Sequence, residues 1–142
     1  MNNKQLNLIM GGGKSNSGPR EENDFYATNP QAIFNAQNMF KEIELYKNVW
    51  ECACGTGNIS KSLLSLGYNV KLSDKIDRGY GKQLDFLTCN KQNMNCDIVT
   101  NPPFKYAEAF IRKSMEVLKE GRKACFFLKI QFLESKKKKN YF

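Results

Sequence analysis

The sequence contains no histidine and only one tryptophan among its 142 residues. Without histidine, the chain cannot build the hydrolase triads in which an imidazole activates a serine or cysteine. Its five cysteines include no CxxC pair, so a zinc site has almost no ligands to draw on. We therefore expect no metal, and we expect the cysteines to be small buried thiols rather than a disulfide framework.

Long hydrophobic runs are also lacking. No apolar stretch approaches the roughly 20 residues that span a membrane. Near the N-terminus only Leu8, Ile9 and Met10 form an apolar cluster, which is too short for a signal peptide. These absences predict a cytoplasmic protein with no membrane partner.

Acidic residues are fewer than basic ones, 14 against 22, which gives a net charge of +8. This excess suits a phosphate-rich partner such as DNA. Four of the lysines form one run at 136–139, within a predicted basic tail at 135–142. The run is either a solvated tail or a phosphate contact, and the sequence leaves both interpretations open.

Residues 1–23 are expected to be a flexible segment, because 11–19 contains four glycines, two serines and a proline. Gly13, Lys14 and Ser15 suggest a phosphate-binding loop, but Leu8 stands where that motif requires its first glycine. Gly18 and Pro19 also interrupt any following helix. Both features disfavour the phosphate-loop interpretation.

Downstream, the patterns of apolar residues predict alternating helices and strands. A first helix is expected to start at Asn29 and Pro30 and to continue to Ile43. Later helices are expected at 58–66 and 106–119. Strands are expected at 49–52, 69–73, 97–100 and 123–130, and a short strand or loop at 83–87. The last strand is strongly apolar and is expected to be central. This alternation predicts a parallel sheet with right-handed crossovers.

Two glycines, Gly55 and Gly57, lie between the first predicted strand and the following helix. Glycine permits a positive φ and removes the Cβ that would block a ligand. The spacing lacks the third glycine of a dinucleotide site, which disfavours a nicotinamide cofactor. Asp74 ends the next strand, where a carboxylate can accept hydrogen bonds from a ribose diol. The alternative is an ordinary turn followed by a surface aspartate.

Further acidic residues suit a cofactor of the S-adenosylmethionine (SAM) type, which carries positive charge. Glu51 precedes the glycine loop and could hold a methionine amino group. Asp85 could accept a hydrogen bond from an adenine amine, and Phe86 could stack on the ring. Equally, these two residues could be a loop aspartate and a core phenylalanine.

The segment from Asn101 to Phe104 has the sequence Asn-Pro-Pro-Phe and follows a predicted strand. The Asn101 side-chain oxygen and the Pro102 carbonyl can accept hydrogen bonds from a planar amine, which frees the nitrogen lone pair. The two prolines fix the backbone, so both acceptors are in place before the substrate arrives. Phe104 offers a face for an extruded base. The sequence therefore predicts methyl transfer to an exocyclic amine.

On these motifs, the chain resembles the amino-methylating DNA methyltransferases, in particular phage-type adenine-N6 enzymes with an Asn-Pro-Pro-Phe motif. It has no Pro-Cys dipeptide, the nucleophile motif of the cytosine-C5 enzymes. The similar stretches cover most of residues 24–134 and lie at 24–28, 51–57, 73–74, 77–81, 85–87, 101–104 and 128–134.

The resemblance implies a role for each matching residue. Tyr26 and Thr28 would lie against SAM, and Ala53 would belong to the cofactor loop with its neighbours. Asp74 would bind the ribose and Asp85 the adenine of SAM. The target base, an adenine flipped out of DNA, would be held by Asn101, Pro102 and Phe104.

The resemblance also implies an α/β, Rossmann-like SAM-dependent methyltransferase domain at 24–134, with a mostly parallel sheet and flanking helices. Members of this family usually have seven strands, of which the last two form an edge hairpin. The present chain is expected to stop soon after its fifth strand, leaving that strand as an uncovered edge. The acceptor could also be RNA or protein glutamine, or the chain could be an inactive fragment that binds SAM or DNA; the oligomeric state is not indicated.

Overall fold

A computed structural model describes residues 5–10 and 28–135. Within this part of the chain, six strands form one sheet in which every pairing is parallel, in the order β1-β6-β5-β2-β3-β4. The strands are β1 (Gln5–Met10), β2 (Asn48–Glu51), β3 (Asn69–Asp74), β4 (Lys82–Gln83), β5 (Asp97–Thr100) and β6 (Lys123–Leu128). The predicted α/β class and parallel sheet are confirmed, and β6 is internal, as its apolar sequence predicted.

The helices are α1 (Pro30–Asn35), α2 (Gln37–Glu42), α3 (Asn58–Ser65), α4 (Ala107–Val117) and α5 (Ile130–Ser135), and a 3-10 turn at Phe104–Tyr106 precedes α4. The Asn29 side chain accepts a hydrogen bond from the Gln31 N–H at 2.9 Å, which confirms the predicted cap. The single helix expected at 29–43 is interrupted at Ala36. Its apolar spacing continues across the break, so the periodicity could not reveal it.

Both faces of the sheet are covered, which gives three layers. Trp50, Ile98 and Phe126 belong to one buried cluster, which includes residues of α4 and α5. The neighbouring strand positions Val49, Val99 and Cys125 belong to a second cluster with residues of α1, α2 and α3. This alternation along β2, β5 and β6 explains why these strands are apolar almost throughout.

The prediction that residues 1–23 form a flexible segment is wrong for Gln5–Met10. This stretch is β1, which pairs with β6 in register from Gln5↔Lys123 to Met10↔Leu128. The expected uncovered edge at the last strand is therefore also wrong, since β1 supplies hydrogen-bond partners to β6. Residues 1–4 and 11–27 lie outside the described residues, as does the basic run at 136–139.

Two further bounds differ from the sequence prediction. The last strand ends at Leu128 instead of Ile130, because Ile130 begins α5. The short strand or loop expected at 83–87 is observed as a two-residue strand at Lys82–Gln83.

Across residues 5–10 and 28–135, no helix is long and apolar enough to cross a membrane.

The five cysteines are all free and buried, as predicted. Burial raises the pKa of the Cys125 thiol to about 12 and that of Cys96 to about 11. Desolvation also raises the pKa of Cys54 to about 12 and that of Cys52 well above its ordinary value. Thiols that stay protonated at neutral pH are poor nucleophiles, so these residues act as packing groups.

Candidate functional site

The strand order reverses direction between β2 and β5. From β2 the chain proceeds outward to β3 on one side, whereas from β5 it proceeds to β6 on the other. Ligands of open α/β sheets bind at such a point, beside the carboxyl ends of the strands. The glycine loop follows β2, and the Asn-Pro-Pro-Phe segment follows β5. The fold therefore brings the two predicted motifs to one edge of the sheet.

Glu51 ends β2 and is only 1% exposed. Its Oε1 atom accepts a hydrogen bond from the Ala53 N–H at 2.9 Å and another from the Thr100 hydroxyl. No lysine or arginine among the described residues forms an ion pair with it. Desolvation, with a smaller contribution from the charge of Asp74, raises the pKa of Glu51 from 4.5 to about 8 despite both hydrogen bonds.

Asp74 ties β3 to the glycine loop. Its Oδ2 accepts a hydrogen bond from the Gly55 N–H at 2.9 Å, and its Oδ1 accepts one from the Ile76 N–H at 2.9 Å. Gly55 has a φ of 54°, a left-handed backbone conformation that glycine adopts without the steric strain of a Cβ. Each carboxylate oxygen has a second lone pair, so these bonds leave acceptor capacity for a ligand.

Gly57 is in contact with an aromatic ring of its own chain. Its φ is 92°, and a Cβ at this position would lie 2.1 Å from Cε1 of Tyr80. The ring of Tyr80 therefore packs on Gly57 and occupies the space that the missing Cβ leaves open. The Lys61 ammonium lies 5.1 Å from the centre of the same ring. Tyr80 belongs to 77–81, one of the stretches that resemble the methyltransferase family, and it places this stretch against the glycine loop.

Asp85 and Phe86 lie in different environments. Asp85 is half-buried and accepts a hydrogen bond from the Leu87 N–H at 3.0 Å, which stabilises a turn. Phe86 is 1% exposed. Its ring packs edge-on against Trp50, at 5.3 Å between centroids, and stacks on Phe110 at 5.0 Å. Of the two interpretations, the core phenylalanine is the one that the structure supports.

Asn101 contacts another predicted residue, Thr28. The Asn101 side-chain nitrogen donates a hydrogen bond to the Thr28 hydroxyl oxygen at 3.0 Å. The Thr28 carbonyl in turn accepts a hydrogen bond from the side chain of Asn58, at 3.0 Å. Because Asn58 begins α3 directly after the glycine loop, Thr28 connects the two motifs. Tyr26 lies outside the described residues.

The remaining residues of the motif are held against the core. Pro102 is buried, and the Pro103 carbonyl accepts a hydrogen bond from the Tyr106 N–H at 2.9 Å, within the turn that leads into α4. Phe104 is half-buried and meets the ring of Phe132 edge-on at 6.5 Å between centroids. Phe132 belongs to α5, so this helix packs against the Asn-Pro-Pro-Phe segment through the ring of Phe104.

Three residues that touch the site were not predicted as functional: Asn58, Thr100 and Phe132. The signal for Thr100 was present, since it is a polar residue that directly follows the apolar pair Ile98 and Val99 and precedes Asn101. Asn58 and Phe132 gave no comparable signal, because only the folded chain brings them to Thr28 and Phe104.

A separate cavity of about 350 Å³ lies near the opposite edge of the sheet. It is lined by residues from the first halves of β2 and β3 and by the segment that precedes β5, including Asn48, Asn69, Lys71 and Asn95. It contains none of the predicted site residues. Its lining offers amides and one ammonium, without the buried carboxylate or proline-fixed acceptors of the first site.

Comparison with protein-family models gave no match to this chain, and comparison with curated proteins gave none either. The geometry of the residues at the carboxyl ends of β2, β3 and β5 is therefore the basis for assigning a function.

Proposed function

We propose that this chain binds SAM at the carboxyl ends of β2 and β3 and transfers its methyl group to the N6 amine of adenine in DNA. One observation carries the proposal. Glu51, a buried carboxyl with no cationic partner among the described residues, lies at the strand switch point, and Asn101 begins the segment that follows the adjacent strand.

The site fits SAM through its acidic groups. A protonated amino group near Glu51 would supply the missing countercharge and would favour the ionised carboxylate that burial now disfavours. Asp74 keeps lone pairs for a ribose diol after its two backbone hydrogen bonds. The Tyr80 ring covers Gly57, so the ligand contacts the loop beside Gly55 and Asp74, with Tyr80 as one wall.

SAM supplies an electrophilic methyl group on a sulfonium, and the chain must make the acceptor amine nucleophilic. An adenine amine delocalises its lone pair into the ring. The Asn101 side-chain oxygen and the Pro102 carbonyl accept its two N–H groups and favour a tetrahedral nitrogen with a localised lone pair. Pro102 and Pro103 fix these acceptors in advance, so little reorganisation is needed during the reaction.

Phe104 provides the apolar face on which the target base stacks. Its ring is half-buried and supported edge-on by Phe132, so its position is fixed by the fold. A base inside a duplex cannot reach such a site and must be flipped out. The net charge of +8 favours binding to the phosphate backbone that presents this base.

The test is transfer of a labelled methyl group from SAM to defined acceptors. Duplex DNA with adenine is compared with DNA in which N6 is absent, with RNA, and with a glutamine-containing protein. Asn101→Ala should reduce transfer to adenine at least about 100-fold, because it removes a preorganised acceptor. Asn38→Ala is the matched control, since Asn38 is exposed on α2 and is not among the predicted site residues.

The outcomes separate the alternatives. Transfer to RNA or glutamine that exceeds transfer to DNA would move the proposal to that acceptor. SAM binding with no transfer to any acceptor would show a binding protein without this activity. Equal activity of Asn101→Ala and Asn38→Ala would overturn the assigned mechanism.

A further inference from the structure

Thr28 is the residue at which three separate segments of the site meet. Its carbonyl accepts from Asn58 at the start of α3, 30 residues away in sequence, and its hydroxyl oxygen accepts from Asn101, 73 residues away. The backbone of Thr28 is thus attached to the glycine loop, and its side chain to the Asn-Pro-Pro-Phe segment. The two contacts use different atoms and can be separated by mutation.

The contact with Thr28 determines how the Asn101 amide is turned. An asparagine side chain has an acceptor end, the oxygen, and a donor end, the nitrogen. Only the oxygen can accept from a substrate amine, whereas the nitrogen would oppose the N–H groups of that amine. With its nitrogen donating to Thr28 at 3.0 Å, Asn101 has its oxygen at the other end of the amide plane.

We propose that Thr28 is a positioning residue that orients the Asn101 amide for the acceptor amine. Its effect on rate rests on the proposed methyl transfer. The resemblance places Thr28 against the cofactor, whereas the hydrogen bonds give it a role toward the other substrate. Thr28 thereby couples the cofactor loop to the amine-binding segment.

The test uses Thr28→Val and Thr28→Ser. Valine removes the hydroxyl and keeps the backbone carbonyl that holds Asn58, and serine restores the hydroxyl. We expect Thr28→Val to lower kcat for methyl transfer about tenfold, the equivalent of one lost hydrogen bond, with the Kd for SAM changed less than about twofold. Thr28→Ser should recover most of the rate. A fall in SAM affinity with an unchanged kcat would overturn the proposal.

A second measurement does not depend on activity. The side-chain amide signals of Asn101 in a 1H–15N spectrum are identified by their absence in Asn101→Ala. Thr28→Val should shift these signals and speed their exchange with water, and Thr28→Ser should restore both. Unchanged signals in Thr28→Val would overturn the positioning role whether or not the chain transfers methyl groups. Shifted signals in a chain inactive on every acceptor would instead count against the proposed function alone.

Discussion

Two buried carboxyl groups on neighbouring strands differ in how the fold treats them. Glu51 ends β2 at the carboxyl edge of the sheet, and Asp97 begins β5 at the opposite edge. Asp97 is fully buried and accepts hydrogen bonds from the N–H groups of Tyr46, at 2.7 Å, and Lys123, at 2.8 Å. The Lys123 ammonium lies 3.7 Å from the same carboxylate.

Asp97 therefore has its countercharge within the fold, where it joins β5, β6 and the segment before β2. Within residues 5–10 and 28–135, Glu51 accepts hydrogen bonds only from Ala53 and Thr100, and its pKa is raised to about 8. A carboxyl compensated by its own chain is a structural group. A buried carboxyl that lacks a cation among the described residues, at a strand switch point, is suited to a cationic ligand.

The largest effect expected from this difference is on folding. Asp97→Asn leaves the Lys123 ammonium without its carboxylate and sets an amide N–H against a backbone donor. We expect the free energy of unfolding to fall by about 4 kcal/mol, as for other broken buried pairs. Urea unfolding measures it. A loss below about 1 kcal/mol would show that Asp97 is not the structural counterpart of Glu51.

The next effect concerns binding. Glu51→Gln keeps an oxygen that can accept from Ala53 and Thr100 but removes the charge. We expect SAM affinity to fall about 100-fold, within the range for truncated charge pairs at interfaces. Asp97→Asn, measured at a temperature where it is folded, should bind SAM as the wild type does. Equal SAM affinities of the wild type and Glu51→Gln would contradict the proposal that the Glu51 charge binds SAM.

A smaller effect is the pH dependence of stability. The pKa of Glu51 is 4.5 when unfolded and about 8 when folded, so the folded state holds one more proton between these values. Stability from this group is complete below pH 4.5 and is lost as the pH rises through 8.

We therefore expect Glu51→Gln to gain stability relative to the wild type as pH rises, by about 2 kcal/mol between pH 5.5 and 7.5. Denaturant unfolding of both proteins at several pH values gives this difference. A difference that stays constant with pH would mean that Glu51 ionises normally in the folded protein.

The smallest effect compares one glycine from each edge. Gly57 and Gly121 have φ values of 92° and 90°, so alanine strains both backbones equally, by about 1 kcal/mol. Nothing lies within 4 Å of a Cβ at Gly121, whereas Tyr80 blocks one at Gly57. Gly57→Ala should cost about 1 kcal/mol more than Gly121→Ala, because overpacking adds to the strain. Equal losses in thermal unfolding would contradict the Tyr80 contact.

The sequence predicted the middle of the fold well. The apolar patterns of 58–66, 69–73 and 97–100 matched α3, β3 and β5 closely; α3 buries one face, and β5 is buried throughout. It failed for β1, whose pairing with β6 joins segments more than 100 residues apart. Local composition around the N-terminal glycines indicated flexibility. Residues 5–10 form a strand because they pair with β6, which the local sequence does not show.

The candidate site was predictable to the same extent. Glycine, proline and carboxylate positions follow strand ends, so the topology alone brings Glu51, Asp74 and Asn101 to one edge. The side chains that complete the site were not predictable. Tyr80 at Gly57 and Phe132 beside Phe104 depend on packing between distant segments, which no local pattern encodes.

Proton release on titration with SAM tests the proposed role of Glu51 most directly. At pH 7, a carboxyl with a pKa near 8 is about nine-tenths protonated. Calorimetric titration with SAM in buffers of different ionisation enthalpy should therefore show release approaching one proton in the wild type and none from this group in Glu51→Gln. 5′-Methylthioadenosine, which lacks the amino acid part, should release none from either. Proton release that is equal for SAM in both proteins would contradict the assignment of Glu51 as the partner of the cofactor's amino group.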